Sequence, residues 1–233
     1  IGGDLSIFPA SGNSEALLHG PSNSDSASIC LTKGISSTFG TAYNFGFKIQ
    51  YNGASGNALE IYSGNGSTTT KRLSIDRDTG AVTVGGDIIT ADASEIQMDY
   101  IPASDETQSG IVSTQTMGET VAHGDVVYLK ATDSEWYLAD ADASASSFGL
   151  AMALGAGSNG NARTVLHYGA VRQDTDWNWT IGVPIYLSVT ATTTNTLTQT
   201  PPSGAGDQII VVGYPLSANS LFFCPSLVLV EHS

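Results

Sequence analysis

The sequence predicts an all-β protein, and three observations carry that expectation. Apolar residues recur in short alternating or continuous runs rather than at the three-to-four spacing of an amphipathic helix. β-Branched and aromatic residues dominate those runs, as suits a pleated, half-buried surface. Turn pairs separate them: Asn52-Gly53, Gly56-Asn57, Asn65-Gly66, Thr79-Gly80 and Asn159-Gly160, where Gly or Asn supplies the backbone freedom a tight reversal needs.

Taken in order, the first strands are expected at 43–50, 58–62, 72–75 and 81–84. All four are short and Ser/Thr/Gly/Asn-rich segments join them. A polar stretch then follows Pro102 and runs to about Glu119. It has little apolar patterning and reads as a boundary. Short helices are allowed near 94–99 or within 105–116. Longer and more apolar strands come next, at 125–130, 136–139, 149–154 and 164–172, then 184–189, 195–200, 208–215 and 221–230. This places an extended β-rich shaft or attachment region at residues 1–116. A compact antiparallel β-barrel or sandwich head is expected at 117–233.

Composition bounds the function. The 233 residues carry 41% apolar and 13% charged side chains, with a net charge of −14. Ser, Thr and Gly together make up about a third of the chain. Apolar content of that size argues against wholesale disorder, which couples low hydrophobicity to high charge density. The acidic balance argues against nucleic-acid binding, which needs clustered Lys and Arg; beyond Arg172 there is neither. No apolar run approaches the roughly 18 residues of a membrane span. No basic stretch followed by an apolar run opens the chain, so no signal peptide is expected. Cys30 and Cys224 each lie among apolar neighbours and read as free thiols rather than a disulfide.

The first half is poor in large apolar residues. Such a segment needs partner chains to bury its strands, so the expected state is an oligomer.

Chemistry-bearing motifs are weak. Gly155-Ala-Gly157-Ser-Asn-Gly160 matches a dinucleotide fingerprint in letters only, because a strand-like run follows it where a helix is required. Asp174-Thr-Asp176-Trp-Asn178 has the first oxygens of a calcium loop. Trp179 and Ile185 then stand where an EF-hand needs Gly and Glu, so no metal site is assigned. Asp140-Ala-Asp142 and Asp76-Arg-Asp78-Thr-Gly80 read as turns in which Asp caps its own backbone. The four histidines show no metal-ligand spacing. His123 beside Asp125 suggests a dyad but lacks a nucleophile context. No catalytic residue and no cofactor is expected, and the protein reads as a non-enzyme.

Trp177-Asn178-Trp179 stands out. On a strand, side chains two apart point to one side. Trp177 and Trp179, with Asp174, Asp176 and Asn178 nearby, are the candidate ligand-binding residues, a stacking platform for a sugar ring. The competing reading is packing, over the core or at a subunit interface.

Several segments resemble a β-rich domain of tailed-bacteriophage structural proteins: tail fibres, head fibres and capsid decoration proteins. They begin with Gly118-Glu-Thr-Val-Ala-His-Gly-Asp-Val-Val-Tyr-Leu129 and Trp136-Tyr-Leu-Ala-Asp-Ala-Asp-Ala143. Phe148-Gly-Leu-Ala-Met-Ala-Leu154 and Val165-Leu-His-Tyr-Gly-Ala-Val171 follow, then Gly182-Val-Pro-Ile-Tyr-Leu-Ser188 and Ile210-Val-Val-Gly-Tyr214. Upstream, Phe45-Gly-Phe-Lys-Ile-Gln-Tyr51 and 72–88 look like fibre-shaft segments. The resemblance spans about 40–230 and contains no catalytic signature. It implies a homotrimer on the virion surface that contacts other virion proteins, of capsid or tail. A host surface glycan is the expected external partner, and neither nucleic acid nor membrane insertion is. The alternative is a capsid decoration or cement protein. A glycan-cleaving tailspike carries less weight, because no long β-helical repeat is visible.

Overall fold

The computed structural model describes residues 26–33, 45–52, 57–65, 68–88 and 95–233. The chain is all-β and divides into two units, Ile1–Glu95 and Ile96–Ser233.

The described part of the first unit is an antiparallel meander. Its strands are β1 (Ser26–Lys33), β2 (Phe45–Asn52), β3 (Ala58–Asn65), β4 (Thr69–Asp76) and β5 (Val82–Val84), hydrogen-bonded in that order. The register aligns one type of residue across the sheet. Ile29, Ile49, Ile61, Leu73 and Val84 pair in one cross-strand row. Tyr51, Leu59, Ile75 and Val82 form the next apolar row. Between them runs Gln50, Glu60, Ser74 and Thr83, wholly polar. Alternation of period two therefore sorts the sheet into an apolar and a polar face.

The turn from β4 to β5 follows the Asp-capping expectation. Asp76 Oδ1 accepts from the N–H groups of Asp78 and Thr79, at 3.0 and 2.7 Å. Gly80 takes φ +71°, a left-handed conformation that costs Gly little. The Thr79 hydrogen bonds hold the Asp76 carboxyl below its usual range.

The second unit is one nine-stranded antiparallel sheet. Its strands are β6 (Gln108–Thr116), β7 (Val126–Leu129), β8 (Trp136–Leu138), β9 (Leu150–Ala153), β10 (Ala162–Arg172), β11 (Ile185–Leu187), β12 (Leu197–Thr198), β13 (Val211–Ser217) and β14 (Ser220–Phe223). The order is β12-β11-β13-β14-β10-β9-β7-β8, with β6 on β10.

β10 organises the curl. Residues 165–166 pair with β9 and residues 169–172 with β14, while β6 runs alongside. A register shift between Leu166 and Tyr168 bends it, as bulges do. Gly169, at φ +145°, meets β6 so closely that a Cβ there would lie 2.2 Å from the Ser109 carbonyl oxygen. The curled sheet encloses Val126, Met152, Leu166, Ile185, Ile210 and Phe223, all fully buried. A second cluster, around Met117, Val127 and Val165, packs separately.

Twelve expected runs became strands, some shifted or shorter. Of the last run, 221–230, only residues 221–223 belong to a strand, β14. Two strands were not expected. β1 alternates Ala27, Ile29 and Leu31 with Ser28, Cys30 and Thr32. β6 is mostly exposed and its large apolar residues, Ile111 and Val112, are adjacent, so it lacks an alternating signal; pairing with β10 makes it a strand. The helix expected within 105–116 is thus replaced by β6, and described residues 95–100 contain no helix either. Among the described residues, the one helical turn is the 3₁₀ segment Ser144–Ser146. The division between units falls at 95/96 rather than near 116, because β6 belongs to the second sheet.

Candidate functional site

The loop after β10 holds all five candidate ligand residues. Arg172 closes on Asp174 through two contacts, Nε to Oδ1 at 2.7 Å and the terminal nitrogen to Oδ2 at 3.2 Å. Asn219 adds a bond to the same Oδ1 at 3.1 Å. Arg172 holds the Asp174 carboxyl below its ordinary range. Both Asp174 oxygens thus anchor the loop to β10 and to the β13–β14 turn.

Trp177 goes inward. It is 7% exposed and packs into the central cluster. Its ring lies against Gly124, where a Cβ would come within 2.7 Å of Cζ2. Gly124, at φ +88°, provides both the turn and the space. Trp179 stacks obliquely on Trp177, with ring centroids 5.6 Å apart and planes at 49°. The two rings do share a side, as their spacing suggests, but that side is the core. Packing is therefore the main structural role of Trp177, whose small remaining surface borders the depression formed by its neighbours.

The rest of the loop differs. Asp176 and Asn178 are exposed and Trp179 is half-buried. With Thr194, Asn195 and Gln199 they line a depression of about 380 Å³. Gln199 accepts from Thr180 N–H at 2.8 Å and donates to the Thr180 carbonyl at 2.9 Å, holding these two loop segments together. Trp179 Nε1 is buried and makes no hydrogen bond to protein. A buried N–H donor without a partner costs free energy. The arrangement suits a neutral, hydroxyl-bearing ligand better than an anion, given Asp176 at the rim.

His123 and Asp125 act as separate clamps. His123 is buried, and its Nε2 bonds the Arg172 carbonyl at 3.1 Å. Burial keeps its pKa below the usual value. Asp125 is fully buried and accepts from Ala122 and Thr194 N–H, both at 2.7 Å. Burial pushes its carboxyl up to about 6, against the pull of those two donors. These bonds tie the β6–β7 connection to the loop that borders the depression. His167, on β10, bonds Ser113 of β6 at 2.7 Å and meets the edge of Trp136. The Gly155–Gly160 segment is a loop leading into β10, stitched by reciprocal Val121 and Gly157 backbone bonds at 2.9 Å. Asp142 N–H bonds Asp140 Oδ1 at 2.8 Å, a self-capped turn. Among the described residues, no cluster of three or more His, Cys, Asp or Glu is placed to hold a metal ion. No helix there is long and apolar enough to cross a membrane.

One surface had no sequence signal. Phe222 is the hub of an aromatic cluster, with Tyr168 edge-on at 5.0 Å, Tyr214 stacked at 5.6 Å and Tyr100 at 5.9 Å. The three tyrosines are 43–53% exposed. A hydrogen bond with Tyr100 raises the Tyr214 phenol to about 12. Beside them, Tyr168, Cys224, Pro225 and Leu227 border a groove of about 490 Å³. Residues at 100, 168, 214 and 222 share no spacing that a linear pattern reveals; strand pairing assembles them. Cys224 is a free thiol, raised in pKa by burial. The Cys30 side chain lies outside the described residues. No family model, no curated protein and no solved structure matches the chain.

Proposed function

We propose that this chain is a non-enzymatic structural subunit of a tailed-bacteriophage virion: a homotrimeric fibre or spike on the particle surface. In this reading the first unit is the shaft or attachment part and the second is the displayed head. One observation carries it. Eight large apolar residues on the strands of the first unit are 37–59% exposed in a single chain, while the charged Glu60 is 1% exposed. A sheet of that polarity is complete only in an assembly. The resemblance of 40–230 to phage fibre and decoration proteins supplies the setting. Net charge of −14 keeps such particles soluble and apart.

The external partner in this reading is a host surface glycan. Its site is the depression at Asp176, Asn178 and Trp179. Cryo-electron microscopy of the source particle tests the assignment. Threefold density projecting from the particle is the expected result. Density lying flat between capsid subunits would replace it with a capsid cement, and absence from any particle would remove the virion setting.

A further inference from the structure

We infer that residues 189–195 form a latch beside the depression, pinned by the ionised Asp125 carboxylate and released when that carboxylate takes a proton. The segment joins β11 to β12, and all seven of its residues are exposed. Its flanking residues, Ser188 and Thr196, are buried. Thr196 is fixed twice, its Oγ1 accepting from Val126 N–H at 2.8 Å and its carbonyl from Ser188 N–H at 2.9 Å. Between those ends, among the described residues, one hydrogen bond ties the segment to a distant part of the chain: Thr194 N–H donates to Asp125 Oδ1 at 2.7 Å. The other bonds there are local, from Thr190 N–H to Ser188 Oγ and from Asn195 N–H to the Thr192 carbonyl.

The pinned residue is strained. Thr194 sits at φ +66°, where a β-branched side chain crowds its own backbone. Such conformations persist only where the surroundings hold them. Here the holder is a fully buried carboxylate that accepts a second bond, from Ala122 N–H at 2.7 Å. An ionised carboxylate satisfies both donors with charge-assisted bonds. A protonated one keeps a good acceptor for one of them only, because its hydroxyl oxygen now donates. Ala122 follows Val121, whose backbone exchanges two bonds with Gly157 at 2.9 Å. The exposed and strained Thr194 is therefore the side that yields.

Residues 189–195 carry no titratable side chain, so the proton acts on them through Asp125. Burial pushes that carboxyl up to about 6, and two charges push the same way: Asp176, from the loop after β10, and Glu119, from the β6–β7 connection itself. His123, the titratable neighbour, donates to the Arg172 carbonyl and not to this segment. Protonation removes a buried charge, which favours the unit as a whole, yet it frees this one segment. Thr194 and Asn195 form a wall of the depression that Asp176, Asn178 and Trp179 also line, so release changes the shape of that depression. The latch is independent of what the depression binds. Its consequence for glycan capture, firm above about pH 6 and weakened below it, rests on the proposed function.

The test uses the full chain at pH 7.5 and 5, with amide hydrogen exchange corrected for its intrinsic pH dependence and hydroxyl-radical labelling read by mass spectrometry. At pH 5, protection of the amides of 192–195 is expected to fall about tenfold, as loss of a charge-assisted bond implies, while β9 and β14 lose none. Labelling of Leu197 and Trp179, which line the depression, is expected to change with it. In Asp125→Asn the pH difference at 192–195 should disappear, because the amide does not titrate. Thr194→Asn, whose side chain tolerates the left-handed conformation, should keep more protection at pH 5 than the wild type. If Asp125→Asn fails to fold, the wild type and Thr194→Asn decide. Equal protection at both pH values would overturn the latch. A pH difference that survives in Asp125→Asn would overturn it too and assign the response to His123 or Asp176. Release without any change at Leu197 and Trp179 would overturn the link to the depression. None of these outcomes bears on the virion assignment, which imaging of the particle decides.

Discussion

In the second unit Phe223 is fully buried and large apolar groups from six strands enclose it. In the first, Phe47 is 54% exposed while Glu60 is buried. Both units are antiparallel, and both alternate by period two. They differ in closure. β10 bends and shares its edges among β6, β9 and β14, so the second sheet wraps its own apolar side. The meander β1 to β5 adds neighbours in sequence order, and among the described residues its strands do not curl over their own apolar side. Alternation creates an apolar face, but only curvature or a partner buries it.

The largest test of this contrast lies in the second core. Phe223→Ala and Trp177→Ala should each cost about 3–5 kcal/mol, the usual loss for emptying a buried aromatic site. All three tryptophans, Trp136, Trp177 and Trp179, belong to this unit. Tryptophan fluorescence during denaturant unfolding therefore reports it selectively. A change below about 1 kcal/mol for Trp177→Ala would return that ring to the surface-ligand reading.

The next effect is pH-dependent. The Asp125 carboxyl is raised from 3.8 to about 6 in the fold. The folded state then holds more protons between those values, so stability falls as pH rises from about 4 to 6. The deficit is complete above about 6 and is on the order of 3 kcal/mol. Buried His123, with its lowered pKa, works in the opposite direction in the same window, so the Asp125 contribution is read as a difference: from pH 5 to 7.5 the wild type should lose stability relative to Asp125→Asn in fluorescence-monitored unfolding. An unchanged dependence would assign it elsewhere.

Gly169→Ala should cost about 1–3 kcal/mol, because φ is positive there and the new Cβ meets the Ser109 carbonyl. Chemical denaturation read by tryptophan emission measures it. A neutral result would mean that β6 can move away from β10.

The first unit should show the opposite pH sign. Burial alone would raise the Glu60 carboxyl, but hydrogen bonds from Lys71, Tyr62 and Asn52 outweigh it and leave the pKa below 4.5. That stabilisation is full above the unfolded value and is lost as pH falls through the folded one. Amide exchange of β3 and β4 at pH 3.5 and 5.5 should show loosening at the lower pH, abolished in Glu60→Gln. Equal protection at both would remove Glu60 as the cause.

The smallest expected effect sharpens the contrast most. Phe47→Ala, at concentrations where the chain is single, should change first-unit stability by no more than about 0.5 kcal/mol. A loss as large as that of Phe223→Ala would show that Phe47 is buried within its own chain.

Most strands were legible because β-branched and aromatic runs, bounded by Gly and Asn turns, report local backbone preference. β6 was not, since its large apolar residues, Ile111 and Val112, are adjacent rather than alternating and its strand state comes from β10. The candidate loop was legible as a cluster of letters but not as an arrangement. Trp177 and Trp179 announce a shared side by their spacing; which side is set by Gly124, some fifty residues earlier. The tyrosine cluster around Phe222 had no linear signature at all.

The sequence by itself determined the all-β class, the turn chemistry at Asp76 and Asp140, and the sorting of the first sheet into apolar and polar rows. These depend on contacts within a few residues, or on a period of two. Tertiary structure alone decided where the units divide, which tryptophan is core, and that Asp125 and His123 serve different partners. It also decided which alternating strands close over their apolar side. Those outcomes depend on pairings between residues tens of positions apart, and no local propensity encodes them.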